Sequence, residues 1–368
     1  MKIVLKVLGA IFAVAVCCAV IATSIINSNY AKDANERVDK YTKKMEEIQK
    51  ALDNEKKVSA DGDNENILIA DRYQIKDTSK ISNAYIAGNE DGLDDTEKAT
   101  LKAAKGVLDE IIKDDMTLFE KEKAVYEWIV VNVEHDDGKP ASEVDNPLGV
   151  ITGKKAVCVG YATTFRLLVN MLGIECKVMH STELGHSWDI CKLDDDCWYI
   201  TDCYFDAGYK KATYAGFNMT STQAADGHDW DASLFPKAKG TKYSYAIMNA
   251  KKIDDPTKMI GSLKKRIKKN KDGFIYASYE VSTDDVQKAM KADYIFSGFN
   301  DRTLSEDANV SFENKSFKVG NKKYYIINST RYEEEEQNNE PAYDFDTEKI
   351  DKELNEKFGE ANEDYVGF

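Results

Sequence analysis

The most constraining feature of this sequence is an apolar helix pattern that is followed at short distance by a β-hairpin pattern. Apolar residues recur at helical spacing after Cys158 and stop at Gly173, a residue type favoured at helix C-caps. Two strand-like arms within residues 186–206 then flank three consecutive aspartates at positions 194–196. The pattern places a cysteine at the start of a helix, and a histidine and an aspartate on the two arms of one hairpin.

The alternation of side chains along the hairpin predicts which residues meet. A three-residue loop pairs Leu193 with Cys197 and places Trp188 opposite Asp202. Even-numbered residues of both arms then share one face, so His186 lies diagonal to Asp202 and within side-chain reach. A two-residue turn would shift the register by one residue and send the two side chains to opposite faces. Contact between them therefore requires a loop of odd length.

Cys158 lies where a loop that contains Gly153 enters the predicted helix. The unpaired N–H groups and the positive dipole end of a helix start favour a thiolate over a thiol, and the same N–H groups can bind a developing oxyanion. An isolated cysteine is more often structural, but here the hairpin supplies a histidine and an acid, and the chain has only four histidines. Cys158, His186 and Asp202 therefore predict a Cys-His-Asp acyl-transfer triad.

Other acids and histidines compete for these roles. Asp189 has the wrong parity to face the predicted base, and Asp206 lies beyond an aromatic pair near the end of the strand pattern. His180 is the rival base, but no acid follows it at a suitable spacing. His135 and His228 lie in polar loops with no constellation around them, so the sequence assigns them no role.

With these residues identified, residues 94–206 resemble the transglutaminase-like cysteine hydrolase superfamily, and most of all its bacterial members. The motifs that carry the resemblance are Val157-Cys158-Val159-Gly160-Tyr161-Ala162, His186-Ser187-Trp188, and Trp198-Tyr199 followed by Asp202. The resemblance implies a papain-like α+β core in which the nucleophile helix packs on an antiparallel sheet. It also implies Cys158 as nucleophile, His186 as general base and acid, and Asp202 as the residue that orients the imidazole.

The resemblance further implies an enzyme that attacks a peptide or side-chain amide and passes through an acyl-enzyme. Water as acceptor makes it a protease or amidase, and a lysine amine makes it a transglutaminase-type cross-linker; the sequence leaves this choice open. Tyr161 and Trp188 are predicted to contact the substrate. No side-chain oxyanion donor can be identified, and no cofactor or metal is predicted. The absence of a Cys-x-x-Cys pair argues against a structural zinc site. The alternative function is a non-catalytic surface adaptor that binds peptide or cell-wall material with the same fold.

Residues 7–26 form a run of 20 residues without charge, preceded by Lys2 and Lys6. About 20 apolar residues span a bilayer, whereas the core of a signal peptide is usually about 7–15 residues long. The run predicts an uncleaved, single-pass anchor in the cell membrane, with residues 1–6 in the cytoplasm, and the resemblance favours an extracellular body. Residues 27–66 predict a charged helical stalk and polar linker, with a weak dimer through the stalk as the lesser alternative.

The body divides into a predicted catalytic domain at 67–239 and a small α/β module of unknown role at 240–332. In the module the patterns predict a helix at 256–269, a strand at 274–281, a short helix at 283–290, and strands around Tyr294, Phe312, Phe317 and 324–328. Residues 333–368 contain 14 acidic residues and 3 lysines, which predicts a mostly disordered tail. The net charge of −15 argues against nucleic-acid binding.

Besides Cys158, four cysteines lie in the predicted catalytic domain. They are Cys176, Cys191, Cys197 and Cys203. An even number is compatible with disulfides outside the cell, but the spacing does not decide whether or how they pair.

Overall fold

The structure, a computed structural model, describes residues 67–69, 72–136, 138–181, 183–208, 211–269, 275–298 and 310–331. All of them belong to one unit of the chain, which spans Asn64–Phe368. The predicted anchor, stalk and acidic tail lie outside the described residues. Among the helices that the structure describes, none combines the length and the apolar character needed to cross a membrane.

The described residues form both helices and strands. The helices are α1 (Ser79–Ala87), α2 (Asp95–Ile111), α3 (Leu118–Asn132), α4 (Ala141–Val144), α5 (Pro147–Gly153), α6 (Cys158–Met171), α7 (Cys203–Asp206), α8 (Ser221–Ala224), α9 (Tyr245–Met248), α10 (Thr257–Lys269) and α11 (Val286–Ser297). The strands are β1 (Leu68–Ile69), β2 (Tyr73–Gln74), β3 (Glu134–His135), β4 (Lys155–Ala156), β5 (Glu175–Ser181), β6 (His186–Lys192), β7 (Trp198–Thr201), β8 (Ala250–Lys252), β9 (Ile275–Ser282), β10 (Val310–Val319) and β11 (Lys322–Arg331).

The centre of the first part of the body is helix α6 packed against an antiparallel sheet. The sheet has the strand order β5-β6-β7, and α6 contacts both β5 and β6. Phe165 and Leu168 of α6 are fully buried in a core that they share with residues of α2 and α3. A fully buried side chain of this type contributes about 1.5–3 kcal/mol of transfer free energy. The predicted α+β class, with the cysteine helix on an antiparallel sheet, is confirmed.

The register of the β6–β7 hairpin is the one that the three-residue loop predicts. Asp189 pairs with Thr201 and Cys191 with Tyr199. The amide of Leu193 donates to the carbonyl of Cys197 at 3.1 Å, which closes the turn. The even-numbered residues of the two arms therefore share a face, as predicted.

The second arm of the hairpin is shorter than the sequence predicts. Strand β7 ends at Thr201, and Cys203–Asp206, predicted as strand, form helix α7. The physical cause is Asp202, whose carboxylate accepts a hydrogen bond from the amide of Tyr204 at 2.9 Å. An aspartate that caps the following turn in this way begins a helix, since it satisfies an amide that a continuing strand would pair elsewhere.

Helix α3 begins at a capping box formed by Thr117 and Glu120. The Thr117 hydroxyl accepts from the amide of Glu120 at 3.3 Å, and the Glu120 carboxylate accepts from the amide of Thr117 at 2.8 Å. A box of this kind satisfies two amides that the helix leaves unpaired. Val125, Trp128 and Ile129 recur at helical spacing on this helix, and all three are buried.

Helix α3 also buries a carboxyl group, because Glu122 is 0% exposed. Burial raises the pKa of Glu122 to about 8, although hydrogen bonds from Asn218 and Cys191 act in the opposite direction. The group is therefore protonated in the folded protein near neutral pH. Because its folded pKa lies above its unfolded one, its contribution to stability is complete below the unfolded pKa and is lost as the pH rises through the folded pKa.

We expect Glu122→Gln to remove this part of the pH dependence of stability. Through this one group the wild type loses about 5 kcal/mol of unfolding free energy as the pH rises from below the unfolded pKa to above the folded one. Glutamine has no proton to lose. Urea unfolding at a series of pH values measures the difference. Glu90→Gln, at an exposed glutamate, is the matched control and should keep the wild-type slope. Parallel curves for Glu122→Gln and wild type over that range would contradict the expectation.

The second part of the body is a four-stranded sheet covered on one face by α10 and α11. Its strand order is β10-β11-β9-β8, with β8 and β9 parallel and the other neighbours antiparallel. Tyr294, predicted in a strand, lies in α11, because Ala292, Ile295 and Phe296 are buried at helical spacing around it. The short helix predicted at 283–290 is thus the first half of a longer one. The domain boundary at 240 stays a prediction.

The other face of this sheet packs on the first part of the body. The ring of Tyr276 lies 5.2 Å from that of Tyr245 and 6.4 Å from that of Tyr214. The Nζ of Lys315 on β10 lies 4.4 Å from the centre of the Phe205 ring, just after the hairpin. The module therefore touches a residue that follows Asp202 closely in the chain.

The five cysteines in the described part of the chain carry free thiols. Cys176 and Cys191 are directly opposite each other on β5 and β6. Burial raises the pKa of the Cys176 thiol to about 12, which keeps it protonated and unreactive.

Candidate active site

Cys158 is the first residue of α6, as predicted. Val157, the N-cap, is extended and makes no side-chain hydrogen bond to the helix, so no side chain of the N-cap occupies the amides of the first turn. Gly160 allows the helix start to lie close to α4, because a Cβ at this position would be 1.9 Å from the carbonyl oxygen of Val144. The same carbonyl accepts the amide of Val157 at 3.1 Å, which fixes the residue before the cysteine.

The hairpin brings His186 and Asp202 into contact. The Nε2 atom of His186 lies 2.8 Å from Oδ2 of Asp202. Cys158 is close enough to the His186 ring to contribute to its raised pKa, and the Cys158 Sγ lies 3.9 Å from the carbonyl oxygen of Gly185. The three residues that the sequence singles out are therefore neighbours in the order cysteine, histidine, aspartate.

The pKa values in this cluster are set by burial and by opposite charges. Burial disfavours the imidazolium of His186, but the Asp202 carboxylate and Cys158 together outweigh it and raise the pKa of His186 well above its usual value. Burial would raise the pKa of Asp202, yet His186 and His228 hold it well below its usual range. Asp202 is thus a carboxylate, and His186 is held as an imidazolium beside it.

His228 belongs to this cluster, although the sequence assigned it no role. Its Nε2 atom lies 2.8 Å from Oδ2 of Asp202, and its Nδ1 atom lies 3.1 Å from the carbonyl oxygen of Ala224. The side chain is buried against the ring of Trp188, at 4.6 Å. No spacing rule links His228 to the hairpin, because the chain reaches the site through α8 and a turn. The scarcity of histidine was the one signal available.

The structure places the rival residues elsewhere. Asp189 is buried on the opposite face of β6, 3.7 Å from the Cys176 sulfur. Asp206 accepts hydrogen bonds from Tyr126, Thr213 and two backbone amides. His180 packs edge-on to the Phe235 ring at 5.8 Å, and neither of its ring nitrogens has a hydrogen-bond partner.

Cys158 and His186 line one open cleft of about 970 Å³. Its walls are mostly apolar and aromatic, and they include Tyr73, Leu184, Tyr204 and Phe205. His135, another histidine without a predicted role, also lines the cleft and lies 4.2 Å from the Tyr204 ring. Burial lowers the pKa of His135, partly offset by Asp202 and by a hydrogen bond to the Ala207 backbone. Three of the four histidines of the chain thus lie at this site.

Tyr161 and Trp188, the predicted substrate contacts, are both 1% exposed. The hydroxyl of Tyr161 donates to the carbonyl of Val133 at 3.0 Å, and the ring of Trp188 stacks on His186 at 5.5 Å. Neither is among the residues that line the cleft. In this structure they support the site by packing, and a contact with substrate stays a prediction.

His186, Asp202 and His228 are also the one group of side chains, within the described residues, whose composition could suit a metal ion. Their ligand atoms lie within 4.8 Å of one another. The two nitrogen–oxygen distances of 2.8 Å are those of charge-assisted hydrogen bonds. We therefore interpret the group as hydrogen bonded.

Helix α6 begins with Cys158 and packs on an antiparallel sheet, and Cys158 lies beside the pair His186–Asp202. This arrangement defines the class of the domain. Residues 105–203 match the family model described as "Transglutaminase-like superfamily", and this part of the chain is a transglutaminase-like domain. Cys158, His186 and Asp202 all lie inside the matched segment, whereas His228 lies outside it.

The chain is also similar to the human kyphoscoliosis peptidase. The two are 26% identical over 132 residues, an alignment that covers 30% of this chain and 20% of the human protein. The chain therefore spans about a fifth of the length of that relative.

Proposed function

We propose that this protein is a cysteine enzyme that attacks a peptide or side-chain amide and passes through an acyl-enzyme. The observation that carries the proposal is the series of contacts from Asp202 through His186 to Cys158 at the wall of one cleft. These are the residue types that nucleophilic acyl transfer uses, in the required order. The transglutaminase-like match, which includes all three residues, supports it.

In the proposed mechanism Cys158 and His186 form a thiolate–imidazolium pair. The raised pKa of His186 and the positive end of α6 both favour this charged form. The thiolate attacks the amide carbon, and the amides at the start of α6 stabilise the oxyanion. His186 then gives its proton to the leaving amine, while Asp202 keeps the imidazole oriented.

The acceptor that resolves the acyl-enzyme decides between a protease or amidase and a cross-linking enzyme. We favour water, because the human relative is named a peptidase. The apolar walls of the cleft, among them Tyr73 and Leu184, suit an apolar side chain next to the reacting amide.

The test is to incubate the purified full-length protein with a fluorescent unfolded protein, with and without a primary amine that carries a tag. Hydrolysis gives smaller fluorescent peptides, and amine transfer gives tagged substrate of unchanged size. The Cys158→Ala protein is the blank. Substrate that binds without either product would favour the surface adaptor instead.

We further propose that residues 7–26 anchor the body outside the cell. The length of the uncharged run supports this, and protein amides at the cell surface would then be the substrates. Protease added to intact cells is expected to degrade the body while a cytoplasmic marker protein survives. A body that resists until the cells are lysed would contradict this topology.

A further inference from the structure

One oxygen atom of Asp202 contacts two histidines. Oδ2 lies 2.8 Å from Nε2 of His186 and 2.8 Å from Nε2 of His228. The other oxygen, Oδ1, accepts the amide of Tyr204 at 2.9 Å. The triad mechanism needs only the contact with His186, so it leaves the second histidine unexplained.

The hydrogen-bond partners of His228 determine how many protons its ring carries. Its Nδ1 atom faces the carbonyl oxygen of Ala224, which can only accept, so Nδ1 carries a hydrogen. A neutral imidazole has a single N–H, so in that state Nε2 would turn a lone pair towards the oxygen of Asp202. The contact is attractive only if Nε2 also carries a proton. The two contacts therefore match a ring in which both nitrogens act as donors.

The surroundings of His228 isolate the proton on its Nε2 atom from water. The groups that face the ring are Asp202, the His186 ring at 6.0 Å, the Trp188 ring at 4.6 Å and the Phe205 ring at 5.2 Å. Strand β10 contributes Lys315, which lies over Phe205 and is paired with Glu313 at 3.2 Å. In the described residues Asp202 is thus the one acid in contact with His228.

His186 faces Cys158 and Asp202, with the Tyr204 ring at 5.2 Å. The acid Asp189 and the cleft histidine His135 interact with Asp202 at longer range. In the proposed mechanism Cys158 is a thiolate. A positive charge on both His186 and His228 then gives two ion pairs, Cys158 with His186 and Asp202 with His228. A buried site in which every charge is paired avoids the cost of an unpaired one.

We propose that His228 is a positioning residue: its Nε2–H donates to the carboxylate of Asp202 and so weakens the hold of this carboxylate on the proton of His186. The inference rests on the proposed function of Cys158, His186 and Asp202. Its consequence is an imidazolium of His186 that gives its proton to the leaving amine more readily than it would beside an unshared carboxylate. His228 itself touches neither Cys158 nor the cleft among the contacts described.

The first measurement counts imidazolium rings in the full-length protein by nuclear magnetic resonance with isotope-labelled histidine near neutral pH. We expect two charged rings, His186 and His228, and two neutral ones, His135 and His180, whose pKa values burial lowers. The imidazolium signal that disappears in His228→Gln is thereby assigned to His228. A neutral His228 would overturn the inference. This count needs no turnover, so it tests His228 even if the proposed function fails.

The second measurement is the pH profile of turnover for wild type, His228→Gln and His180→Gln. Glutamine can still donate to Asp202 but carries no charge, so the alkaline limb should move upward by roughly one to two pH units. His180→Gln, a histidine without hydrogen-bond partners in the same domain, should leave the limb in place. A limb that does not move in His228→Gln would overturn the inference. Loss of wild-type activity on chelation, with rescue by a divalent metal, would also overturn it, because a metal would then occupy the place assigned to the proton.

Discussion

Replacement of Cys158 by alanine is expected to reduce turnover to background, a loss of about six orders of magnitude. The sulfur is the nucleophile of the proposed reaction, and the described residues that line the cleft include no second cysteine and no serine or threonine. The fold should persist, because the change removes one atom from the first residue of α6 and alanine is a good helix former. Turnover on a small amide substrate, with circular dichroism of the same sample, measures both parts of the expectation.

Alkylation by a small uncharged electrophile provides the control for Cys158→Ala. In wild type the label should appear on Cys158 first, because it lines the open cleft. Burial raises the pKa values of Cys176, Cys191 and Cys203, and burial together with Asp195 raises that of Cys197. Rapid labelling of Cys203 with turnover intact in Cys158→Ala would assign the nucleophile elsewhere.

Replacement of His186 by alanine should cost several orders of magnitude in turnover, whereas His180→Ala should cost little. His186 contacts both Cys158 and Asp202, and members of a triad act as a unit, so the loss of one removes most of the benefit of all. His180 packs on Phe235 and contacts neither of them in the described structure. Steady-state turnover of the two variants on the same substrate provides the comparison.

The two histidine variants control for each other, because both remove a partly buried ring from the same sheet. Equal losses in both, with unfolding free energies like the wild type, would mean that the base is misassigned. If turnover falls only in His186→Ala, and Cys158 is also alkylated more slowly in that variant, the result would support the ion pair between Cys158 and His186.

The part of the site that depends on local geometry can be predicted from the sequence. Side chains alternate with a period of two along a strand, and loop length fixes register, so the contact between His186 and Asp202 follows from the positions of three aspartates in the turn. The helix start at Cys158 and its end before Gly173 follow from equally local rules.

The features that the sequence did not predict depend on competition between local interactions or on contacts between segments far apart in the chain. Asp202 has strand-like neighbours on both sides, yet its carboxylate caps α7, and this side-chain contact outweighs the apolar pattern of the residues after it. His228 reaches Asp202 from a position 26 residues further along the chain, beyond α7 and α8, and no periodicity reports such a contact. Tyr294 was assigned to a strand because the buried face of α11 is visible only over its full length.

The position of Gly160 limits how sequences of this kind can diverge. Any side chain there would collide with the carbonyl of Val144, which also accepts the amide of Val157. Even alanine would therefore push the start of α6 away from His186. In a library of random substitutions selected for activity, position 160 should therefore return glycine alone. Its neighbour Val159 fills ordinary core space and should return several aliphatic residues. The contrast between the two positions would report how sharply selection maintains the placement of the sulfur.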